Sequence, residues 1–180
     1  ALAPVLDLLL GTPVVFGVSG YSGAGTTPSR KNDPEVLKDN LLPYKLTEHV
    51  HESEVSHHIN RDIRFLPHVA PFFRGITLTI SLELSAALSE EELLQRYREF
   101  YASAPLVDVR AGIPEVAEVR GTHKLIIGGF SVSESEPHRV ALVCVLDNLL
   151  KGAASQAVQN LNLSFGLDAM LGLTNLKGEK

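Results

Sequence analysis

Apolar and polar positions alternate or cluster along the chain in ways that predict several strands. Residues 76–84 alternate between the two classes, which is typical of a strand with one solvent-facing side. Residues 139–146 form a nearly continuous apolar run rich in β-branched side chains, which predicts a buried strand. A shorter run at 14–19 predicts a strand that leads into a glycine loop. Further strands are predicted around residues 107–110 and 124–133.

Helix signals lie between and beside these strands. Ser89 precedes three glutamates, which predicts a capped helix that continues through Tyr101. Asp147 and Asn148 are N-cap residue types, so a closing helix is expected to begin there. The other expected helical pieces are a helix end at residues 1–10, a short helix near 35–38 and residues 54–60. Residues 26–45 are otherwise predicted to be a long loop.

The closing helix has an unusual composition for a packing helix. Residues 152–154 are Gly-Ala-Ala, and small side chains let another backbone or a flat ligand approach closely. The helix also carries the amides of Gln156, Gln159 and Asn160, which are costly to bury without partners. We interpret this combination as a helix terminus held against a polar ligand.

The order of these elements predicts the fold class. Strands that follow one another with short turns favour an α/β (α+β) fold with a mixed, largely antiparallel sheet covered by helices on one face. No linker or repeat divides the chain, so residues 1–180 are expected to form a single domain. The uncovered face of such a sheet needs a partner, and a second subunit could supply it.

Composition narrows the class of protein without identifying it. The chain has 180 residues, of which 44% are hydrophobic and 21% are charged, values that are ordinary for a globular domain. A net charge of -5 without a basic patch argues against a nucleic-acid surface. No apolar run reaches the length that spans a bilayer. We therefore expect neither nucleic acid nor a membrane among the partners of this chain.

Histidines and glutamate form the densest titratable cluster, between residues 49 and 58. If His49 and His51 lay on a strand, both imidazoles would share one face, and Glu54 could complete a metal site. That interpretation predicts a metal-dependent isomerase or a cupin-like binding domain. The plainer interpretation is a set of solvated histidines, which fits His57 and His58 best.

The glycine loop also has two interpretations. Gly20, Gly23 and Gly25 have the spacing G-x-x-G-x-G, the reverse of the dinucleotide fingerprint, so we reject an NADP-phosphate site there. The loop could be a flexible turn. It could also be a backbone nest that offers N–H groups to a carboxylate or acyl phosphate, with the hydroxyls of Ser19 and Ser22 as further donors.

Cys144 and Arg74 are the two remaining candidates. Cys144 is the one cysteine, which excludes an intrachain disulfide and a cysteine-based zinc site. It lies in the middle of an apolar strand, where burial keeps a thiol inert, so we interpret it as structural. Arg74 is either a surface arginine or a contact for a substrate anion, because its planar guanidinium suits carboxylates and phosphates.

Four stretches, in order, resemble the N-acetyl-γ-glutamyl-phosphate reductase family. The loop SGYSGAG at 19–25 is similar to the family's SGxSGAG, and HVHESE at 49–54 to its HxHxxE. The segment PHVAPFFRG at 67–75 is similar to PHxAPxxRG. The run DNLLKGAASQAVQNLNLSFG at 147–166 resembles the family's last long helix, which aspartate-semialdehyde dehydrogenases share in a looser form. Residues 19–33 most resemble the fungal version, which is part of a mitochondrial polyprotein.

This resemblance implies a particular domain arrangement. The fold should be like the C-terminal domain of glyceraldehyde-3-phosphate dehydrogenase and of aspartate-semialdehyde dehydrogenase. Residues 1–180 would form the catalytic and dimerisation domain, while the N-terminal Rossmann domain that binds NADP and the nucleophilic cysteine lie upstream of Ala1. The chain alone should then be inactive. The resemblance to the fungal form implies the mitochondrial matrix, with the cytoplasm as the alternative.

The resemblance also implies an activity. The family reduces N-acetyl-glutamyl 5-phosphate to N-acetyl-glutamate 5-semialdehyde with NADPH in arginine biosynthesis, releasing phosphate through a cysteine thioester. The expected partners are this substrate, the chain's own N-terminal domain and a second copy of the chain. A metal-dependent isomerase or binding domain that uses His49, His51 and Glu54 remains one alternative. A non-catalytic interaction domain remains another.

Residue roles follow from the same resemblance. His49 is expected to be the general base for the thiol, because an imidazole can shuttle a proton near neutral pH. No metal is expected. The predicted substrate-binding residues are Ser19, Gly20, Ser22, Gly23, His51 and Arg74. The predicted contacts to the nicotinamide end of NADP are Asn148, Lys151 and Gly152.

Overall fold

A seven-stranded mixed sheet forms the centre of the computed structural model, which describes residues 1–173. The strand order is β2-β3-β1-β4-β7-β6-β5. β1 pairs with β3 and β5 with β6 in parallel, and the other neighbours are antiparallel. The strands are β1 (Leu9–Gly20), β2 (Leu42–Pro43), β3 (Arg64–Ala70), β4 (Ile76–Leu84), β5 (Val107–Val109), β6 (Leu125–Val132) and β7 (Arg139–Leu146).

Helices are shorter and lie mostly over one face of this sheet. The α-helices are α1 (Pro34–Leu37), α2 (Val50–Ile59), α3 (Glu90–Phe100), α4 (Val116–Val119) and α5 (Ser155–Ser164). Two 3₁₀ turns, Ala3–Val5 and Tyr21–Ala24, and a π-helical turn, Leu150–Ala154, complete the set. Within residues 1–173, each helix is too short or too polar to cross a membrane.

The alternation predicted for residues 76–84 is present in β4. Ile80, Leu82 and Leu84 are buried, whereas Ser81 and Glu83 between them are exposed, because successive side chains of a strand point to opposite faces. The buried side chains of β4 and β7 pack with Leu93 and others of α3 in one hydrophobic core. The predicted cap of α3 is confirmed. The Ser89 hydroxyl accepts the Glu92 N–H, and the Glu92 carboxylate accepts the Ser89 N–H.

The mixed, largely antiparallel sheet confirms the predicted fold class, and one short helix departs from the predicted single covered face. Val119 of α4 packs with Ile126 and Val145, which point away from the main core. α4 therefore covers the opposite face of the sheet over β6 and β7. The rest of that face, around Phe16 and Thr79, stays exposed in the single chain.

Several boundaries differ from the sequence predictions. Residues 1–10 contain a 3₁₀ turn rather than a helix end, and β1 begins at Leu9 instead of residue 14. β3 was not predicted as a strand at all. Residues 49–51 lie at the start of α2 and not on a strand, so the strand geometry behind the metal interpretation is wrong. Residues 174–180 of the predicted domain lie outside the described part of the chain.

Candidate functional site

A cavity of about 650 Å³ lies between the sheet and α2, at the carboxyl ends of β1, β3 and β7. Its walls are mainly apolar side chains of the core face, such as Val15, Phe65 and Leu78. Several predicted site residues from distant parts of the sequence line it together: Ser19, Gly20, Gly23, His51, Asn148 and Gly152. A largely apolar cavity with a few convergent polar groups is the usual form of a ligand site.

Asn148 is buried at the edge of this cavity, and both of its polar atoms are engaged. Its Oδ1 accepts the Gly75 N–H at 2.6 Å, and its Nδ2 donates to the Ser22 hydroxyl at 2.9 Å. The side chain therefore ties the β3–β4 turn to the glycine loop. It does not cap the closing helix. Its Oδ1 keeps a second lone pair and its Nδ2 a second N–H, so a cofactor contact by this amide stays a prediction that these two bonds do not exclude.

Asp147 is the residue that caps the closing helix, and it also holds Arg74. One carboxylate oxygen accepts the N–H groups of Leu149 and Leu150 and a bond from the Arg74 guanidinium at 3.0 Å. The other lies 2.7 Å from Arg74 Nε and accepts the Gly121 N–H. Burial alone would raise the Asp147 pKa, but these hydrogen bonds together hold the pKa below its usual value. Sequence reasoning missed this cluster, because it treated Asp147 only as a cap.

The same ion pair changes the expected role of Arg74. Its guanidinium is already neutralised by a fully buried carboxylate, and its side chain is only 30% exposed. A free arginine fork would be needed for strong capture of a substrate anion. Arg74 therefore connects the β3–β4 turn to the start of the closing helix, and a substrate contact stays a prediction that this pairing weakens.

The closing helix begins with a π-helical turn. The Gly152 N–H donates to the Asp147 carbonyl and the Ala154 N–H to the Leu149 carbonyl, each five residues back. π-turns inside helices are rare and occur frequently at functional sites. Gly152 lines the cavity here, and a Cβ on it would lie 3.0 Å from Leu146 Cδ1. This position therefore accepts glycine best.

The amide side chains of the closing helix find partners within the chain. The Lys151 ammonium donates to the side-chain oxygens of Gln156 and Gln159, and Asn162 donates to the Leu171 carbonyl. Gln159 and Asn162 are buried, so α5 turns amides inward. Partial burial lowers the Lys151 pKa. The interpretation that these amides wait for a polar ligand is thus wrong for Gln156 and Gln159, whose side-chain oxygens accept from Lys151 within the chain.

The glycine loop offers fewer backbone donors than a nest requires. The N–H groups of Gly20, Tyr21 and Ser22 donate to the carbonyls of Gly75, Phe72 and Phe73 respectively. These three donors are thus occupied by the turn after β3. The Ser19 hydroxyl donates to the Gly20 carbonyl at 3.0 Å, and the Ser22 hydroxyl is a polar group that the loop still presents to a ligand. Gly20 is needed for close packing, since a Cβ there would lie 2.7 Å from the Phe73 carbonyl oxygen.

His49 is buried and serves as the N-cap of α2. Its Nδ1 accepts the His51 N–H at 3.2 Å, and its ring packs edge-on against Tyr44 and Phe65. Burial lowers the His49 pKa, and the neighbouring His51 lowers it further. Because Nδ1 accepts, the neutral ring carries its proton on Nε2 and can donate a hydrogen bond there. This tautomer cannot take a proton at Nε2, so a role of His49 as general base stays a prediction that the geometry does not favour.

His51 is better placed beside the cavity. Its ring is exposed and lines the cavity wall, with Nε2 at 3.7 Å from a Glu54 carboxylate oxygen. No group of three His, Cys, Asp or Glu side chains in residues 1–173 has an arrangement that could hold a metal ion. His57 and His58 are exposed on α2, as predicted for solvated histidines. Sequence reasoning missed Lys31 and Tyr44, which line the cavity with the Lys31 ammonium 4.7 Å from the ring centroid.

The buried thiol of Cys144 confirms the structural interpretation of that residue. Its exposed fraction is 2%, and it lies in the main hydrophobic core. Burial raises the Cys144 pKa, which disfavours the thiolate.

Comparison with known proteins gives a consistent set of relatives. Residues 1–148 match the family model described as semialdehyde dehydrogenase, dimerisation domain. The N-acetyl-gamma-glutamyl-phosphate reductase of Stenotrophomonas maltophilia (strain R551-3) is 54% identical over 170 residues, covering 94% of this chain and 53% of that protein. The bifunctional protein argC, mitochondrial, of Dictyostelium discoideum is 50% identical over 175 residues, covering 97% of this chain and 20% of that protein.

Coverage and structural likeness add two facts. The chain spans about half the length of the bacterial reductases that it matches. The crystal structure of aspartate semialdehyde dehydrogenase II from Vibrio cholerae, complexed with ASA, superposes with a TM-score of 0.73 at 19% identity, over 92% of this chain and 58% of that one. The enzyme from Francisella tularensis gives a TM-score of 0.71 at 18% identity, over 92% and 61%. These likenesses confirm the fold.

Proposed function

The chain belongs to the family of semialdehyde dehydrogenase dimerisation domains, and from that membership we propose that it is the C-terminal half of an N-acetyl-γ-glutamyl-phosphate reductase. The observation that carries this proposal is identity above 50% to bacterial reductases of that name over 94% of the chain. The proposed reaction is the NADPH-dependent reduction of N-acetyl-glutamyl 5-phosphate to the 5-semialdehyde, with release of phosphate, in arginine biosynthesis.

The proposal requires a second domain. The relatives are about twice as long as this chain. We assign the remainder of the protein to a Rossmann domain that binds NADP and carries the nucleophilic cysteine. Cys144 is a poor nucleophile because it is buried in the sheet, which supports a thiol supplied from elsewhere.

The residues near the closing helix fit one side of a nicotinamide only in part. Gly152 lines the cavity beside Leu146, and a Cβ on it would lie 3.0 Å from Leu146 Cδ1 and narrow the space left for a ring. Asn148 is held in place by its bonds to Ser22 and Gly75, and its amide nitrogen has a second N–H to offer the carboxamide of the ring. When bound, NADPH supplies the hydride. This chain would then contribute a wall that orients the ring and excludes water, with Gly152 as its contact, while the Lys151 ammonium is held by Gln156 and Gln159.

Proton transfer in this proposal falls to α2. His51 lines the cavity, and Glu54 lies close enough to orient its imidazole. An imidazole placed in this way can accept the proton of an approaching thiol and later return it to the thiolate that is released with the aldehyde. His49 would support His51 by capping α2 and by packing against the His51 ring, with the two ring centroids 4.7 Å apart. Substrate oxygens would meet Ser19 in the cavity and the Ser22 hydroxyl in a groove beside the same loop.

The open face of the sheet supports self-association. Phe16 and Thr79 face solvent there, and Leu66 and Val143 on the neighbouring strands are only partly buried. We assign this face to a second copy of the chain, as expected for a dimerisation domain. Residues on it have no catalytic role in the proposal.

Location and lineage are finer parts of the same proposal. The resemblance of residues 19–33 to the fungal form and a mitochondrial relative at 50% identity support the mitochondrial matrix. The bacterial relatives are 54% and 53% identical to this chain, so the cytoplasm remains the alternative location.

The decisive experiment measures NADPH oxidation by the protein that contains this chain together with its cofactor-binding half. N-acetylglutamyl phosphate is the substrate, and aspartyl phosphate is the matched control because the fold is shared with aspartate-semialdehyde dehydrogenases. We expect turnover with the first and little with the second, and none from residues 1–180 alone. Equal turnover of both, or of neither, would reject the proposed substrate.

A further inference from the structure

The bond between Asn148 and Ser22 has a direction that the structure fixes. The Gly75 N–H is a donor, so the atom that faces it at 2.6 Å must be the Asn148 oxygen. The amide nitrogen is then turned towards the Ser22 hydroxyl at 2.9 Å. Asn148 is only 8% exposed, and this keeps its amide in that orientation.

This orientation of Asn148 determines how the Ser22 hydroxyl can bond. An amide nitrogen can only donate, so the Ser22 oxygen must accept in this pair. A serine hydroxyl has one proton, and that proton remains available for a different acceptor. The Ser22 main-chain N–H is already used by the Phe73 carbonyl. The hydroxyl proton is therefore the donor that this residue retains.

Ser22 lies on a groove of about 770 Å³ on the side of the loop away from the main cavity. One wall is an aromatic pair, Tyr21 and Phe73, whose rings meet edge-on at 5.4 Å. The opposite wall is the loop after Gly25, which Asn32 holds in shape by donating to the carbonyls of Gly25 and Thr27. The groove thus exists before any ligand binds.

We propose that Asn148 is a positioning residue that reserves the Ser22 hydroxyl proton for an acceptor oxygen of a ligand bound in this groove. The inference rests on the proposed function, in which both the acyl phosphate and NADPH carry phosphate, carboxylate or carboxamide oxygens. The shared chemistry is an oxygen that accepts one hydrogen bond beside an aromatic wall. Asn148 acts on the ligand through Ser22 and not by contact.

Asn148→Asp tests this directly, because it reverses the polarity of one bond and keeps the other. An aspartate oxygen still accepts the Gly75 N–H. Its second oxygen accepts from Ser22, which diverts the hydroxyl proton away from the groove. Asn148→Ala loses both bonds but leaves the Ser22 proton free. A merely structural role predicts that the alanine variant is worse, whereas positioning predicts that the aspartate variant is worse.

The measurement is kcat/KM in the full-length protein for Asn148→Asp, Asn148→Ala, Ser22→Ala and the Asn148→Asp/Ser22→Ala double variant. Loss of one hydrogen bond to a charged group predicts a decrease of about 10- to 100-fold for Ser22→Ala and for Asn148→Asp. The double variant should be no worse than either single one. A raised KM for the acyl phosphate or for NADPH identifies which of the two supplies the oxygen.

The same measurements on a control variant and on these variants also define the outcomes that would contradict the proposal. Asn162→Asp replaces another buried asparagine, which bonds the Leu171 carbonyl, and should lower the melting temperature without changing kcat/KM. If Asn148→Asp still lowers activity in the Ser22→Ala background, its negative charge acts by itself and the inference fails. Unchanged kcat/KM in Ser22→Ala also overturns it, even if Asn148→Asp does not fold. If the wild-type full-length protein has no reductase activity, the proposed function itself is overturned.

Discussion

Arg74 and Asp147 are 73 positions apart in the sequence and form a two-pronged ion pair, with one contact of 3.0 Å and one of 2.7 Å. The pair joins the turn between β3 and β4 to the end of β7. Asn148 adds a parallel connection from the same junction to Gly75 and Ser22. Two adjacent residues therefore hold together the loops around the cavity.

Asp147→Asn should destabilise the fold. It removes the charge partner of Arg74 and should cost about 3 kcal/mol of unfolding free energy, as for other broken buried pairs. Thermal or urea unfolding of residues 1–180 measures this. Asp33→Asn is the matched control, because Asp33 also caps a helix but is exposed, and it should change stability by less than about 1 kcal/mol. Equal losses of unfolding free energy in the two variants would mean that Asp147 acts only as an ordinary helix cap.

The same residue predicts a pH dependence of stability. The folded Asp147 pKa lies below that of an ordinary aspartate, so the native state favours the ionised form. Its contribution should be complete above about pH 4, the ordinary value, and be lost as the pH falls through the lower folded pKa. The difference in unfolding free energy between wild type and Asp147→Asn should accordingly shrink in acid. A difference that is constant down to the acid transition would contradict the assignment.

His51→Ala should lower kcat of the full-length enzyme by about 10²- to 10⁴-fold if His51 is the general base. His49→Asn separates the two histidines, since an asparagine oxygen can still cap α2 while the imidazole is lost. We expect this variant to keep substantial activity. His58→Ala, on the exposed side of α2, is the control and should be neutral. Severe loss in His49→Asn with normal turnover in His51→Ala would restore the role predicted for His49 from the sequence.

Gly152→Val should reduce kcat/KM more than it reduces stability. Its side chain would contact Leu146 and project from the π-turn at the cavity wall. Positioning errors of this size at a reacting centre cost about 10²-fold in rate. Gly112→Val provides the comparison, because a Cβ at Gly112 meets no atom within 4 Å. If kcat/KM decreases in proportion to the melting temperature in both variants, Gly152 has no role in the site beyond stability.

Thr79→Arg should weaken self-association. It places a long charged side chain at the centre of the open sheet face, next to Phe16 across the β1–β4 pairing. Light scattering or sedimentation should show a smaller species than the wild-type protein at the same concentration. Phe100→Arg, on an exposed position of α3, should leave the size unchanged. An unchanged size for Thr79→Arg would place the interface on another face.

Local sequence patterns were enough to predict β4, β7 and the capped helix α3. In each case the signal lies within a few residues, such as the alternation along 76–84 or the Ser89–Glu92 capping box. β3 escaped prediction because Pro67 interrupts its apolar run, and proline usually argues against an inner strand. It is tolerated there because β2 pairs with β3 only at two residues beside it.

The candidate site was predictable to a different extent. Resemblance to a family identified residues that the fold brings to one cavity, among them His51 and Gly152. It could not give the bonds that these residues make with each other. Asn148 and Ser22 are 126 positions apart, and no local pattern reveals that one orients the other. The ligand contacts predicted for Asn148 and Arg74 stay predictions, and their partners within the chain are what the sequence could not supply.

The π-turn at Leu150–Ala154 makes the length of this segment as important as its chemistry. A π-turn holds one residue more than an α-helical turn, and each residue of a helix advances by about 100° around its axis. Deletion of one residue here would convert the wide turn into an ordinary α-helical turn, and the helix downstream would keep its phase. A deletion after Ala154 has no extra residue to absorb it and would rotate the residues beyond it by about 100°, which would take Gln159 and Asn162 off the buried side of α5. Homologues that lack the extra residue of the π-turn should therefore keep the same phase of amides in a closing helix that is one residue shorter.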